Sequence, residues 1–328
     1  MRNQTALSDF YWGTLFGAIQ ARGPDLQESM GLVDAIVQFD ETIAEYANNK
    51  ISIYTNKPVV SITGSGKETF KTVNVSTISS IIAASCGVCV LKPGSSSVSA
   101  TSGATDILLE LGVRIPKDLY EAKRCAEEID LCFVDFSSIA KKYAKRYDGL
   151  FYHFHPLSYV VPPLTIPFKL DAFLYGLANP NVKHGAEILR EIGYKKAAVV
   201  CSEIEGVGKI DELAPFGDSY IAYLNDGEIT FERLTNKPPK ADELSDVRQR
   251  NTHFENANAL LEVLQGKGAS SLKEFVFMNA AFLLYFAGLS RDLDEGMNLA
   301  FDSVQKGNAL KKLEQYIQYS KKFSDFIY

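Results

Sequence analysis

Apolar positions in the first fifty residues recur at helical spacing. Leu15, Ile19, Leu32, Ile36 and Ile43 form stripes suited to amphipathic helices over residues 7–47. Gly23-Pro24-Asp25 interrupts them as a turn followed by a helix start. Residues 48–58 then read as a linker. From Val59 onward short apolar runs alternate with longer helical patterns. Strands are expected at 58–62, 88–92, 131–134 and 197–201. Helices are expected at 75–86, 103–111, 117–128, 136–147, 181–193, 253–264, 270–287 and 291–305. Such alternation predicts an α/β fold with a mostly parallel central sheet flanked by helices. Tyr220 to Arg233, with Asn225-Asp226-Gly227 in the middle, reads as a β-hairpin. The pattern divides the chain into a small helical domain at 1–57 and a large α/β domain at 58–328.

The residues between Val59 and Asp106 carry the most chemistry. An apolar run (Val59, Val60, Ile62) ends in Gly64 and Gly66, and Ser76 and Thr77 open the helical run that follows. A second run, Val88 to Leu91, ends in Lys92 and a Gly/Ser-rich loop that leads into the next helix. Two strand–loop–helix units in tandem point backbone N–H groups and helix N-termini at one place, and Lys92 adds a charge there. This predicts a site for a phosphorylated ligand, against the plainer reading of two structural turns. Gly66-Lys67 is not a nucleotide-hydrolase P-loop: that pattern needs Gly at 61 and Ser or Thr at 68, where the chain has Ser61 and Glu68.

Several ordered segments resemble the anthranilate phosphoribosyltransferase family of the nucleoside phosphorylase/phosphoribosyltransferase superfamily, which has the glycosyltransferase family 3 fold. They are Gly64-Ser65-Gly66-Lys67-Glu68 (family GTGGD), Asn74-Val75-Ser76-Thr77 (N-[IV]-S-T), Lys92-Pro93-Gly94-Ser95 (KHGN) and Thr101 to Asp106. Gly208 to Pro215 is similar to the acidic G-x-D-E-x-[SA]-P segment with one extra residue, and Pro163-Leu164-Thr165-Ile166-Pro167 to the PLTNP hinge. Leu15 to Ile36 resembles the family's helical domain, to which the hinge region 136–167 would contribute.

The resemblance implies a divergent Mg²⁺-dependent transferase that moves the ribosyl phosphate of phosphoribosyl pyrophosphate (PRPP) to an aromatic amine. Anthranilate is the default acceptor, and tryptophan biosynthesis is a compatible setting. It implies PRPP contacts from Gly64, Ser65, Gly66, Lys67, Glu68, Asn74, Ser76, Thr77, Lys92 and Ser102, and metal contacts from Ser76, Asp211 and Glu212. Standing alone, Asp211-Glu212 would read as a solvated acidic pair. The departures are informative. Lys67 adds a cation beside the expected pyrophosphate, and Glu68 keeps a carboxylate on a longer arm. Pro93 and Ser95 replace the His and Asn beside the acceptor, which leaves a changed acceptor open beside the default. Arg146, His153 and His155 are the remaining acceptor-side candidates. The two histidines flanking Phe154 either bind an acceptor or pack at the hinge. His184 and His253 show no partner pattern and read as surface or cap residues. No side chain stands out as a general base. The resemblance also allows a homodimer.

Bulk properties narrow the alternatives. A chain of 328 residues with 46% apolar and 23% charged residues suits a globular protein. The net charge of −6 counts against a broad nucleic-acid surface, although a non-catalytic, nucleic-acid-binding relative on the same fold is the second reading. The opening MRNQTALSDF is not a signal peptide and no apolar run approaches ~20 residues, so a cytoplasmic protein is expected. Five cysteines make a disulfide framework unexpected. Cys86-Gly87-Val88-Cys89 fits either a redox or metal pair, or a helix end followed by a buried strand.

Overall fold

The computed structural model describes residues 6–96, 101–147 and 149–323, so the middle of the Gly/Ser-rich loop lies outside the described residues. Three helices come first: α1 (Ala6–Arg22), α2 (Leu26–Phe39) and α3 (Glu41–Asn48). Asp25 caps α2 through a reciprocal pairing with Glu28, as the Gly-Pro-Asp punctuation predicts. Then follow β1 (Val59–Gly64), α4 (Val75–Cys86), β2 (Cys89–Gly94), α5 (Ala104–Glu110), α6 (Leu119–Ile129) and β3 (Leu131–Asp135). Next come α7 (Phe136–Ile139), α8 (Lys141–Tyr147), α9 (Leu157–Leu164), β4 (Ala172–Gly176), α10 (Val182–Glu191), β5 (Lys196–Ile204) and β6 (Gly208–Ile210). The chain continues through β7 (Asp218–Asn225), β8 (Glu228–Thr235), α11 (Ala241–Val247), α12 (His253–Leu264), α13 (Ser270–Ala287), α14 (Leu293–Gln305) and α15 (Asn308–Ser320).

The sheet runs β3-β2-β1-β4-β5-β7-β8, parallel from β3 to β5, with β6, β7 and β8 antiparallel. The expected hairpin is β7–β8, and positive φ at both Asp226 and Gly227 gives the turn its hairpin twist. Helices α4, α6, α13 and α15 cover one face over a core that includes Ile78, Ile82, Phe133 and Phe282. The other face carries α2, α9 and α10 over Ile36, Tyr159, Phe173 and Val199. The apolar core of the N-terminal helices is therefore continuous with that of the sheet.

Four expectations need correction. The sequence reading has no strand at 172–176, yet β4 is central, paired with β1 and β5 and buried along its length. A short continuous apolar run bounded by prolines is ambiguous between strand and helix; here pairing decides, and Asp171 accepts the N–H of Val59 to set the register. The single helix expected at 136–147 is two, because buried Asp40 caps α8 from a distance, accepting from the N–H groups of Lys142 and Tyr143 at 2.8 Å each. Helices α9, α11 and α15 were not anticipated; α9 tolerates Pro162 and Pro163 within its last turn. His184 is buried rather than at the surface, with Nε2 2.9 Å from Ser29 Oγ between α10 and α2.

The linker and the hinge run side by side: the N–H of Ile51 donates to Pro167 O and that of Lys169 to Ile51 O, both at 2.8 Å. All five cysteines are free thiols, and Cys89 lies inside β2, so the Cys86–Cys89 pair is a helix end and a strand start. Among the described residues no helix is long and apolar enough to cross a membrane.

Candidate active site

Strands β1 and β2 separate at their C-terminal ends. Their pairing stops at Val60–Val90, while β1 follows β4 to Gly64–Gly176 and β2 follows β3 to Gly94–Asp135. A cleft of about 260 Å³ opens there, at the carboxyl ends of the strands where open α/β sheets hold ligands. Pro93, which has no N–H to donate, lies beyond the point where β2 leaves β1.

One wall of the cleft is polar. The N–H of Gly66 (2.8 Å) and the Ser65 hydroxyl (3.2 Å) both donate to Asp211 Oδ2. Ser65 Oγ in turn accepts from Ala178 N–H. The approach is close: a Cβ on Gly64 would lie 2.6 Å from Asp211 Oδ2, and one on Gly176 only 1.7 Å from the Asp211 carbonyl oxygen. Glu212 receives the Ser76 backbone N–H at the start of α4 and the Thr72 hydroxyl at 3.3 Å. Asn74 does not cap α4 with its side chain; its Nδ2 donates to Ser102 O, and Gln249 donates to the same oxygen. The α4 N-terminus, with its partial positive charge, borders the cleft and is met there by the Glu212 carboxylate.

Three carboxylates share this wall. Burial raises the pKa of each, and mutual repulsion adds to it at Glu68 and Glu212: Glu68 is pushed up to about 7, and Glu212 rises well above the usual range. Lys71 offsets part of this by donating to Glu68 at 3.1 Å. Lys92 is buried, which lowers its pKa to about 8 despite the attraction of Glu212 and Asp211. The Glu68 contribution to stability has a defined sign. Its folded-state pKa is raised, so the stabilisation is present in acid and is lost as pH rises through about 7. Glu68→Gln should match the parent near pH 4 and exceed it by a few degrees in Tm near pH 8, by calorimetry without added divalent cation. A gap that does not change with pH would refute this.

The opposite wall is aromatic: Phe136, Tyr143, Tyr147, Phe151 and His155, with Leu157 and Val161. His155 packs against Phe151 with ring centroids 4.3 Å apart. Burial and the nearby charge of Lys67 lower its pKa to about 3, so it is neutral at physiological pH. Five buried polar atoms on cleft residues have no protein partner among the described residues: Glu68 Oε2, Asn74 Oδ1, Thr77 Oγ1, Tyr147 OH and His155 Nδ1. Such atoms are costly in a finished interior and useful where a ligand docks.

Of the residues singled out in the sequence, Gly64, Ser65, Gly66, Lys67, Glu68, Asn74, Ser76, Thr77, Lys92, Pro93, Ser95, Ser102, His155, Asp211 and Glu212 all line this one cleft. Arg146 and His153 do not. Arg146 bonds Asp9 of α1 and stacks over Tyr147, and His153 is on the exposed side of its segment. The Lys67 ammonium donates to Phe151 O, on the aromatic wall of the cleft.

Sequence reasoning missed the supports. Asn279 receives the N–H of Leu213 (3.2 Å) and donates to Leu213 O (2.9 Å), and Ser202 donates to Glu212 O (2.8 Å). Asn279 was detectable as the lone polar residue in the apolar run FVFMNAAFLL; Ser202 had no such signal. His253, read as a cap, starts α12 and has Nδ1 2.9 Å from Ser102 Oγ.

This fold and cleft define a glycosyl transferase: the family described as "Glycosyl transferase family, a/b domain" matches residues 56–310. Within it, anthranilate phosphoribosyltransferases of Shewanella sp. strain MR-7 (31% identical, covering 92% of this chain and 85% of that protein) and Methanothermobacter thermautotrophicus (30%, 88% and 84%) are similar along nearly the whole chain. The chain belongs to the anthranilate phosphoribosyltransferase family. The fold is also that of the Thermus thermophilus enzyme (TM-score 0.77, 23% identity, 95% of this chain and 90% of that one). The Saccharomyces cerevisiae enzyme solved with PRPP and Mg is similar too (TM-score 0.75, 18% identity, 98% and 89%).

Proposed function

We propose that the protein is a Mg²⁺-dependent phosphoribosyltransferase moving the ribosyl phosphate of PRPP to an aromatic amine or related nitrogen nucleophile. The observation that carries this reading is the division of one cleft into a polar wall of loop amides, carboxylates and Lys92, and a facing aromatic wall. In the reaction the ribosyl C1–O bond to pyrophosphate breaks, C1 bonds the acceptor nitrogen, and that nitrogen gives up one proton. The transition state resembles an oxocarbenium ion, so the protein's work is holding the departing diphosphate and aligning the acceptor.

The residues fit a hard divalent cation. Among the described residues no three carboxylates are grouped closely enough to hold a metal by themselves; the oxygen donors on offer are Asp211, Glu212 and the Ser76 hydroxyl, with Glu68 Oε2 buried nearby and without a protein partner among the described residues. Mg²⁺ is commonly held through one or two carboxylates plus substrate phosphates, and this wall offers such carboxylates beside the loop amides. When bound it would neutralise diphosphate charge. Lys92 would add a point charge beside the phosphates, and the Thr77 hydroxyl, which has no partner among the described residues, would meet a phosphate oxygen. Anthranilate is the first acceptor to test; with Pro93 and Ser95 beside the acceptor, a different aromatic nitrogen nucleophile is part of the proposal. So is a homodimer through α1, where Phe10, Tyr11 and Leu15 are exposed, which sedimentation would test. The free thiols and acidic charge suit a cytoplasmic enzyme.

The direct test is calorimetric titration of PRPP with and without Mg²⁺. Metal-dependent micromolar binding is expected, and Lys92→Met should weaken it by about tenfold or more through loss of a charge-assisted contact. No binding in either condition would overturn the reading.

A further inference from the structure

The Gly-rich loop after β1 makes contact with both walls of the cleft. Ser65 and Gly66 face Asp211. At Gly66 the backbone takes a left-handed conformation, φ +64°, and the next side chain crosses to the other wall. Lys67 Nζ donates to Phe151 O, 84 residues away in sequence. The electrostatics agree with this placement. The charge of Lys67 is felt at His155, on that same wall. The Arg146 guanidinium bonds Asp9 and lies over the Tyr147 ring, with its buried Nε unpartnered among the described residues. The Lys67 ammonium lies against Phe151 and close enough to His155 for its charge to be felt there; Tyr147 lines the same cleft, and among the described residues the Tyr147 hydroxyl and His155 Nδ1 have no protein partner.

Building on the transferase reading, we propose that Lys67 is the specificity residue of the acceptor subsite. It pairs with an acidic group on a flat aromatic acceptor while Tyr147 and His155 hydrogen-bond its remaining polar groups. The charge that selects the acceptor is thus carried by the same loop that cradles the donor.

The test uses the intrinsic fluorescence of anthranilate and of its neutral methyl ester, titrated into the full-length protein with PRPP and Mg²⁺. The parent should bind the acid about tenfold or more tightly than the ester, the scale of a charge-assisted contact. Lys67→Met should abolish that preference while leaving PRPP affinity within about twofold, and Lys67→Arg should restore most of it. Circular dichroism and unchanged PRPP binding report that Lys67→Met is folded. If PRPP binds but the acid is not preferred, or if Lys67→Met weakens PRPP rather than the acid, the inference is overturned and the transferase reading stands. If the parent binds no PRPP, the transferase reading fails and this inference with it.

Discussion

Asp211→Asn combined with Glu212→Gln is expected to remove Mg²⁺-dependent PRPP binding and to lower kcat/KM by about 10²–10³-fold, the scale of losing a group that stabilises transition-state charge. The fold should survive. Both carboxylates are buried with pKa values raised by burial, so neutral amides relieve repulsion rather than expose a cavity. A Tm equal to or above that of the parent is therefore expected beside the lost binding, since binding sites trade stability for charge placement. Titration calorimetry and a thermal melt on one preparation check both halves. Metal-dependent binding that persists in the double variant would move the metal site elsewhere in the cleft.

Gly176→Ala is the second large effect, and it acts through backbone contact. The added methyl carbon would fall 1.7 Å from the Asp211 carbonyl oxygen and 2.8 Å from its carbonyl carbon. Backbone cannot swing aside as a side chain can, so either β4 or the 211–214 segment must move. Overpacking of this kind costs about 3 kcal/mol or more, and the displaced element carries Asp211. Loss of several degrees in Tm together with loss of PRPP binding is expected. Gly31→Ala is the control: it lies on α2 with open space around its Cβ, and should be neutral or stabilising by about 0.5–1 kcal/mol. If Gly176→Ala melts with the parent, the close approach of β4 to Asp211 is not as described.

What could be read from the sequence follows from where each signal lies along the chain. The loops after β1 and β2 announce themselves, because glycines, hydroxyl residues and Lys92 sit next to one another and next to apolar strands. Helices α12 and α13 were legible to the residue from periodicity and caps. β4 was not, since Ala172-Phe173-Leu174-Tyr175 has no period to separate strand from helix, and only its neighbours β1 and β5 make it a strand. The break between α7 and α8 was equally hidden, because its cause is Asp40, 102 residues before Lys142. The position of Lys67 shows the same limit. Composition says that a cation stands in the loop, but which wall it faces depends on Gly66 and on Phe151.

Asn279 has a consequence for how the protein is made. The acidic segment reaches the cleft early in the order of synthesis, yet its anchor on α13 comes 66 residues later. Domains emerge and fold N-terminal end first, so a nascent chain that already has β1 through β6 can make the Ser65, Gly66 and Ser202 contacts to Asp211 and Glu212 but lacks the Asn279 anchor. Strands β1 through β6 thus precede the last support of the acidic wall in synthesis, and that wall is complete only once α13 has docked.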